Sequence, residues 1–298
     1  MSELLHSHIP GLAPPRTGKV RDVYDLGSEV LIVATDRISA FDAVMENGIP
    51  EKGCILNQMS AFWFRHLAHV CPNHMVSISS YDIQSRLPDP SYALNGRSMV
   101  AKKARTIPVE CVARGYLAGS LYKEYKAQGG NVHGFEIQDG LLDSSRLTEP
   151  IFSPATKADE GHDENISFTE MVNRLGSEVA NLLRDWTMQL YSESAIHAAT
   201  KGIILADTKF EFGESDEGII LIDEILTPDS SRYWDAAQYS PGKSQASFDK
   251  QFVRDYLETS GWDKNPPGPR LPHDVVVKTR KKYVEAFEKI VGKSPDLD

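Results

Sequence analysis

Residues 203–225 read IILADTKFEFGESDEGIILIDEI: an apolar-rich run, a turn of Gly, Ser, Asp and Glu, and a second apolar run. Two such runs around a short turn predict a β-hairpin, with strands over Ile203–Phe212 and Ile219–Ile225. In the first strand, period-two alternation places Asp207, Lys209 and Glu211 on one face and Thr208, Phe210 and Phe212 on the other, with the phenylalanines inward. The second strand delivers Asp223 and Glu224 at its end, so the hairpin brings carboxylates from two strands together around a lysine. A solvated hairpin face carries such charges too, but hard oxygen ligands beside a cation are what a Mg²⁺ nucleotide requires.

The N-terminal part has the same hairpin character. Strands are predicted over Val20–Asp25 and Val30–Thr35 around the turn Leu26-Gly27-Ser28, and further strands at Met75–Ser79, Ser98–Lys103 and Val109–Arg114. Leu56, Met59, Trp63, Leu67 and Val70 fall on one face of a helix over Leu56–Val70. His66 and His69 sit on that helix three residues apart, outside any HExxH pattern, and read as surface or core residues rather than metal ligands. A capping box, Ser167-x-x-Glu170, opens a helix carrying Met171, Leu175, Val179, Leu182, Trp186 and Leu190. A helical segment is expected over Leu121–Ala127, and helices over Phe248–Thr259 and Val275–Ile290 are each followed by a glycine, Gly261 and Gly292. Strands followed by helices around hairpins do not alternate as βαβα, so a doubly wound parallel sheet is excluded in favour of an α+β protein of two lobes.

With 298 residues, 41% of them hydrophobic, the chain is long enough for one large domain or two lobes. Its net charge of −10 argues against duplex nucleic acid or anionic membrane as the main partner. That average hides a segregation: residues 97–126 carry seven basic and two acidic side chains, residues 205–235 nine acidic and two basic. Such blocks fit an anion site beside a metal site, although solvated faces produce them as well. Cys54, Cys71 and Cys111 are odd in number with no CxxC, so neither a disulfide framework nor a zinc ribbon is indicated. No signal peptide or run of transmembrane length is visible, and a cytoplasmic location is expected.

Several segments carry the chemistry. Gly18-Lys19-Val20-Arg21 leads into a strand, where glycine lets the backbone approach phosphate oxygens and the cations oppose their charge. Gly242-Lys243-Ser244 mimics the end of a Walker A loop, but Ala237 stands at the position of its first glycine and no buried strand precedes it, so it reads as an ordinary loop. Arg114 to Ser120 joins a strand end to a helix start with an arginine, small residues and a hydroxyl, a pattern suited to an anion or to a plain turn. Thr227 to Arg232 offers a second turn with an arginine, and Lys157 to Asp163 a lysine among carboxylates.

Taken in order, GKVRDVYD (18–25), ATDRISAFD (34–42), PVECVARGYLAGS (108–120), KADEGHDE (157–164), DTKFEFG (207–213) and DEILTPDSSRYWD (223–235) resemble the SAICAR synthetase family, the phosphoribosylaminoimidazole-succinocarboxamide synthases of purine biosynthesis. The resemblance implies an ATP-grasp-like α+β fold, with a small antiparallel N-terminal lobe (1–113) covering ATP and a larger catalytic lobe (114–298). It implies an ATP-dependent ligase joining L-aspartate to carboxyaminoimidazole ribotide (CAIR), with ATP as co-substrate and Mg²⁺ as cofactor. By the same resemblance Gly18, Lys19, Val20 and Arg21 lie at the ATP phosphates, and Glu110 and Val112 belong to a hinge whose backbone meets the adenine edge. Glu211 and Asp223 are implied as Mg²⁺ partners, with Lys209 neutralising charge at the transferring phosphate. Arg114, Ser120 and Arg232 match ribotide-holding positions, Lys157, Asp163 and Asp229 neighbouring loops, and Ser39 and Asp42 the wall of the same cleft.

Two other classes fit the residues in part: a small-molecule or lipid-headgroup kinase, which would phosphorylate without needing aspartate, and a nucleotide sensor, which would bind ATP without turnover. Small-molecule substrates are expected, with no nucleic acid, membrane or obligate protein partner.

Overall fold

The computed structural model describes residues 3–92, 94–157, 164–243, 245–248 and 250–297. In the N-terminal part, strands β1 (Arg16–Thr17), β2 (Arg21–Asp25) and β3 (Glu29–Ala34) are followed by a two-strand hairpin, β4 (Ser39–Ala40) and β5 (Ala43–Val44), and helix α1 (Lys52–His66). Strand β6 (Met75–Ser77), helix α2 (Ser80–Gln84) and strand β7 (Ser98–Lys102) complete an antiparallel sheet of order β1-β2-β3-β7-β6.

The chain then enters a second sheet through the long strand β8 (Arg105–Tyr116), followed by helix α3 (Gly119–Gln128), the short pair β9 (Asn131–Val132) and β10 (Phe135–Glu136), β11 (Arg146–Phe152) and β12 (Ala155–Thr156). Helices α4 (Phe168–Leu175) and α5 (Ser177–Thr200) lead into the hairpin β13 (Ile203–Ser215) and β14 (Gly218–Ile222), then β15 (Ser231–Asp235) and helices α6 (Gln251–Thr259) and α7 (His273–Val291). The second sheet has the order β11-β8-β13-β14, with β12 on β8 and β15 on β13. Two antiparallel sheets flanked by helices make this the expected α+β fold. The expected 113/114 division falls inside β8, and the chain changes sheets between Lys102 and Arg105.

The decisive hairpin forms with Glu211 opposite Ile222 and Ser215 opposite Gly218. Phe210 and Phe212 are fully buried as alternation requires. The opposite face is not solvated: Asp207 is buried against Arg114 of β8 and Arg232 of β15, and Glu211 against Lys209 and Lys157. One core runs through both halves of the chain, from Leu56, Met59, Trp63 and Phe64 of α1 through β8 and β13 to Tyr283 and Phe287 of α7.

Two helices differ from their sequence periodicity. The capped helix is two helices, because Gly176 takes φ 80° and breaks it between Leu175 and Ser177; the cap itself forms, Glu170 N–H donating to Ser167 Oγ at 3.1 Å. Helix α1 starts at Lys52, before the periodic face expected from Leu56, and both Lys52 and Gly53 in its first turn are buried. Gly53 is the contact point with β3, where a Cβ would collide with the Ala34 carbonyl oxygen. The three cysteines are buried and unpaired, burial pushing the Cys111 thiol up to about 12. Among the described residues no helix is long and apolar enough to cross a membrane.

Gly53→Ala is therefore expected to lower the unfolding free energy by about 3 kcal/mol, at the upper end of overpacking costs. Ser167→Ala, which removes only a cap, should cost about 1 kcal/mol, and urea unfolding of the two variants ranks them.

Candidate active site

The tip of the β1–β2 hairpin runs from Gly18 and Lys19, which are exposed, to Val20 and Arg21, which are half-buried. Arg21 reaches across from the first sheet to the second, its Nη2 2.8 Å from Asp223 Oδ2 and 3.9 Å from Glu224 Oε1. Asp223 leaves β14 with φ 66°, a left-handed turn that ends the strand and redirects the chain. Burial alone would raise its pKa, but Arg21, Lys209 and Lys157 outweigh that and hold it down to about 2.

Next to this pair, Lys209 of β13 bonds both Glu110 of β8 and Glu211, the latter at 3.0 Å, and Lys157 bonds the other oxygen of Glu211. Desolvation opposes charge on Lys209, yet Glu211, Glu110 and Asp223 together raise its pKa, so it is an ammonium at neutral pH. The cluster is thus an alternation of carboxylates and cations built from both sheets, with no charge left facing apolar surroundings alone.

A cavity of about 220 Å³ opens on the other side of Lys209, lined by Val112, Arg114, Ser120, Asp207, Lys209, Asp229, Arg232 and Arg254 among others. Arg114 lies at the end of β8 and Ser120 in the first turn of α3, 3.4 Å apart, and Arg232 of β15 bonds Asp207. Burial lowers the Arg114 pKa against the pull of Asp207, while its Nε has no partner. A buried guanidinium nitrogen without a partner, beside a polar cavity, is suited to an incoming anion.

At the cavity's far wall Asp229 is held by Lys52 Nζ at 2.9 Å and by the Tyr283 hydroxyl at 2.7 Å. Burial would raise the Asp229 pKa, but Lys250, Lys52 and Tyr283 hold it well below the usual carboxylate range. Lys250 is in turn lowered, since desolvation outweighs its attraction to Asp229. Lys52 also lines a small cavity of about 30 Å³ with Val20, Arg21, Asp223 and Glu224.

The structure therefore brings Val20, Arg21, Glu110, Lys157, Lys209, Glu211 and Asp223 around the cluster, and Val112, Arg114, Ser120, Asp229 and Arg232 around the cavity beside it. Lys19 stands apart in an exposed ion pair with Asp42, 2.5 Å away. Asp42 and Phe41 form the two-residue turn of the β4–β5 hairpin, both with positive φ (61° and 51°), and Ser39 pairs with Val44 below it. Asp163 lies outside the described residues.

The backbone of Glu110–Val112 does not serve as an open edge. It is an interior segment of β8, facing Lys209–Glu211 of β13 on one side and Ala155 and the Ser153 amide on the other, so these ladder positions are occupied.

Lys52, Lys250 and Arg254 escaped the sequence reading, and Asp207 was placed on the charged face without its arginine partners. Lys52 and Lys250 stand in ordinary-looking contexts, and only tertiary packing carries them to Asp229. Gly119 is a further member: it takes φ 61°, and a Cβ there would collide with the Arg232 guanidinium.

Charged side chains turned inward between two sheets, instead of out to water, are the layout of an enzyme that acts on small anions. The family model for SAICAR synthetase matches residues 15–269. The phosphoribosylaminoimidazole-succinocarboxamide synthase of Geotalea uraniireducens is 52% identical over 295 residues, covering 98% of this chain and 99% of its own, and that of Syntrophobacter fumaroxidans is 52% identical over 292 residues, with 97% and 96% covered. The Saccharomyces cerevisiae SAICAR synthase complexed with SAICAR superposes with a TM-score of 0.88 at 42% identity, with 98% of this chain and 99% of that one covered. A SAICAR synthetase in complex with ADP shares the fold at 24% identity (TM-score 0.70, with 95% and 99% covered). The chain belongs to the SAICAR synthetase family.

Asp223 supplies a pH dependence with a definite sign. Its folded pKa lies below the unfolded value of about 3.9, so its stabilisation is present above that value and is lost as pH falls toward 2. Urea unfolding between about pH 4.5 and 2 should show a stability loss that is about 2 kcal/mol smaller in Asp223→Asn than in the parent.

Proposed function

We propose that the chain is an ATP-dependent ligase that joins L-aspartate to CAIR, giving SAICAR, ADP and phosphate. The observation that carries this reading is Lys209, which belongs at once to the carboxylate cluster beneath the glycine hairpin tip and to the arginine-lined cavity. A nucleotide over the cluster and a phosphorylated ribotide in the cavity would present the γ-phosphate and the substrate carboxylate to opposite sides of one ammonium. We place the lobe boundary where the chain changes sheets, between Lys102 and Arg105, with ATP between the lobes.

A carboxylate does not expel oxide to an amine, so it must first be activated. A carboxylate oxygen of CAIR attacks the γ-phosphorus and ADP leaves. The aspartate amine then attacks the acyl carbon of the resulting acyl phosphate, inorganic phosphate leaves with that oxygen, and the nitrogen gives up a proton. The chain's part is positioning and charge balance. Arg114, Ser120 and Arg232, with Arg254, hold the ribotide phosphate; Asp229, fixed by Lys52 and Tyr283, orients the base; Lys209 neutralises charge that builds on the transferring phosphoryl group.

Glu211 and Asp223 suit Mg²⁺. Among the described residues no cage of three or more metal-ligating side chains forms, but Mg²⁺ keeps several waters and binds through one or two carboxylates plus phosphate oxygens. When bound it would neutralise phosphate charge, and Arg21 and Lys209 hold the Asp223 carboxylate ionised for it.

The test is ADP release measured with CAIR, with and without aspartate, coupled to mass detection of the product. Release that requires aspartate and yields SAICAR supports the ligase; release without aspartate, with a stable phosphorylated product, identifies a kinase. Asp223→Asn should lower turnover by about a hundredfold or more, the scale of lost electrostatic stabilisation, and near-normal rates across Mg²⁺ concentrations would remove Asp223 from the reaction.

A further inference from the structure

The segment Thr35-Asp36-Arg37, upstream of Ser39 and Asp42, takes no part in the reaction as described, yet it is among the most buried polar stretches of the chain. The side chains of Thr35 and Arg37 point at the back of the hairpin tip, while Asp36 turns away to the Leu4 and Gly53 amides and to Arg97. Arg37 Nη2 donates to the Gly18 carbonyl at 3.0 Å and to the Arg21 carbonyl at 3.1 Å, and Arg37 Nε to the Lys19 carbonyl at 3.2 Å. The Val20 carbonyl accepts from the Thr35 amide at 3.0 Å and from Thr35 Oγ1 at 2.8 Å. Four consecutive carbonyls of an exposed loop are thus captured from behind by two residues. Asp22, at 2.9 Å from Arg37 and almost fully buried, balances the guanidinium and is itself fixed by the amide and hydroxyl of Ser7.

A solvated hairpin tip has no need of this, because water satisfies its carbonyls without cost. The consequence lies on the opposite edge of each peptide. In a planar trans peptide the N–H is anti to the C=O. Fixing the Gly18 and Lys19 carbonyls inward therefore aims the Lys19 and Val20 N–H groups away from Arg37. It also removes the carbonyl lone pairs that would repel an anion at the tip. We propose that Arg37 and Thr35 are positioning residues for the nucleotide: they act through the hairpin tip, turning its amide edge toward the phosphates and its carbonyls away from them. This rests on the reading that Gly18–Arg21 meets ATP phosphates.

The experiment is calorimetric titration of the full chain with ADP and, separately, with SAICAR, for Arg37→Lys, Thr35→Val and Arg21→Gln, each first shown folded by thermal unfolding. Lysine keeps the charge opposite Asp22 but loses the fork that spans three carbonyls, so Arg37→Lys should weaken ADP by about tenfold. Thr35→Val, which deletes one hydroxyl bond, should weaken it by about three- to fivefold. SAICAR affinity should stay within about twofold for both. ADP affinity unchanged in a folded Arg37→Lys overturns the inference, and so does an equal loss for ADP and SAICAR, which marks a merely structural residue. If Arg37→Lys does not fold, Thr35→Val decides by the same criteria. If Arg21→Gln leaves ADP binding unchanged, the hairpin tip is not the phosphate site and the inference falls with that reading; if Arg21→Gln weakens ADP while Arg37→Lys does not, the positioning role alone is refuted.

Discussion

Buried carboxylates have to be paired, and in this chain the pairing is what joins the two sheets. Arg21 comes from the first sheet, Asp223 and Glu224 from the end of β14 in the second, and the 2.8 Å contact between Arg21 and Asp223 crosses the space between them. Lys209 extends the alternation to Glu110 and Glu211. Removing Arg21 would leave Asp223 without its hydrogen-bonded partner, which costs more than the pair itself contributes. The cluster is therefore weak evidence for stability and strong evidence for a site kept ready for charged ligands, which can replace or add to these partners.

The rest of the fold serves that arrangement. Helix α1 packs its apolar face into the core shared with α5 and α7, and its polar positions reach the acidic loop at two points: Lys52 meets Asp229, and Ser60 Oγ accepts the Ile225 amide at 3.3 Å. A helix rooted in the core thus sets where the loop after β14 stands relative to the hairpin tip. Gly53 permits the close approach of α1 to β3 that this requires. Small shifts of α1 would be felt at both the cluster and the cavity, since packed interiors transmit displacement instead of absorbing it.

Much of this was legible in the sequence, for identifiable reasons. The hairpin of residues 203–225 declared itself because alternation and turn composition agree, and the inward phenylalanines followed from the period alone. Lys209, Glu211 and Asp223 were reachable from the alternation and the end of that hairpin, and Arg114, Ser120 and Arg232 from turn segments that carry an arginine or a hydroxyl. Other features depend on contacts distant in sequence. Asp207 was assigned to the charged face by alternation, but its pairing with Arg232 depends on β15, and nothing local marks Lys52 as the partner of Asp229, 177 positions along the chain. The interior position of Glu110–Val112 depends on β11 and β12 joining β8 from the far side, a pairing no local pattern announces. The single helix expected from the Ser167 capping box to about Lys201 is divided at Gly176, where an isolated glycine is tolerated by periodicity but takes a left-handed φ in the folded chain.

In the proposed reaction the ribotide carboxylate is activated beside Lys209 by taking the γ-phosphoryl group before the amine arrives. Oxygen labelling tests it most directly. CAIR carrying ¹⁸O in its carboxylate is turned over with unlabelled ATP and aspartate, and the inorganic phosphate is analysed by mass spectrometry. Acyl phosphate formation transfers one carboxylate oxygen to each phosphate released and leaves the other in the SAICAR amide. Phosphate free of label, with SAICAR formed at the normal rate, would contradict the account.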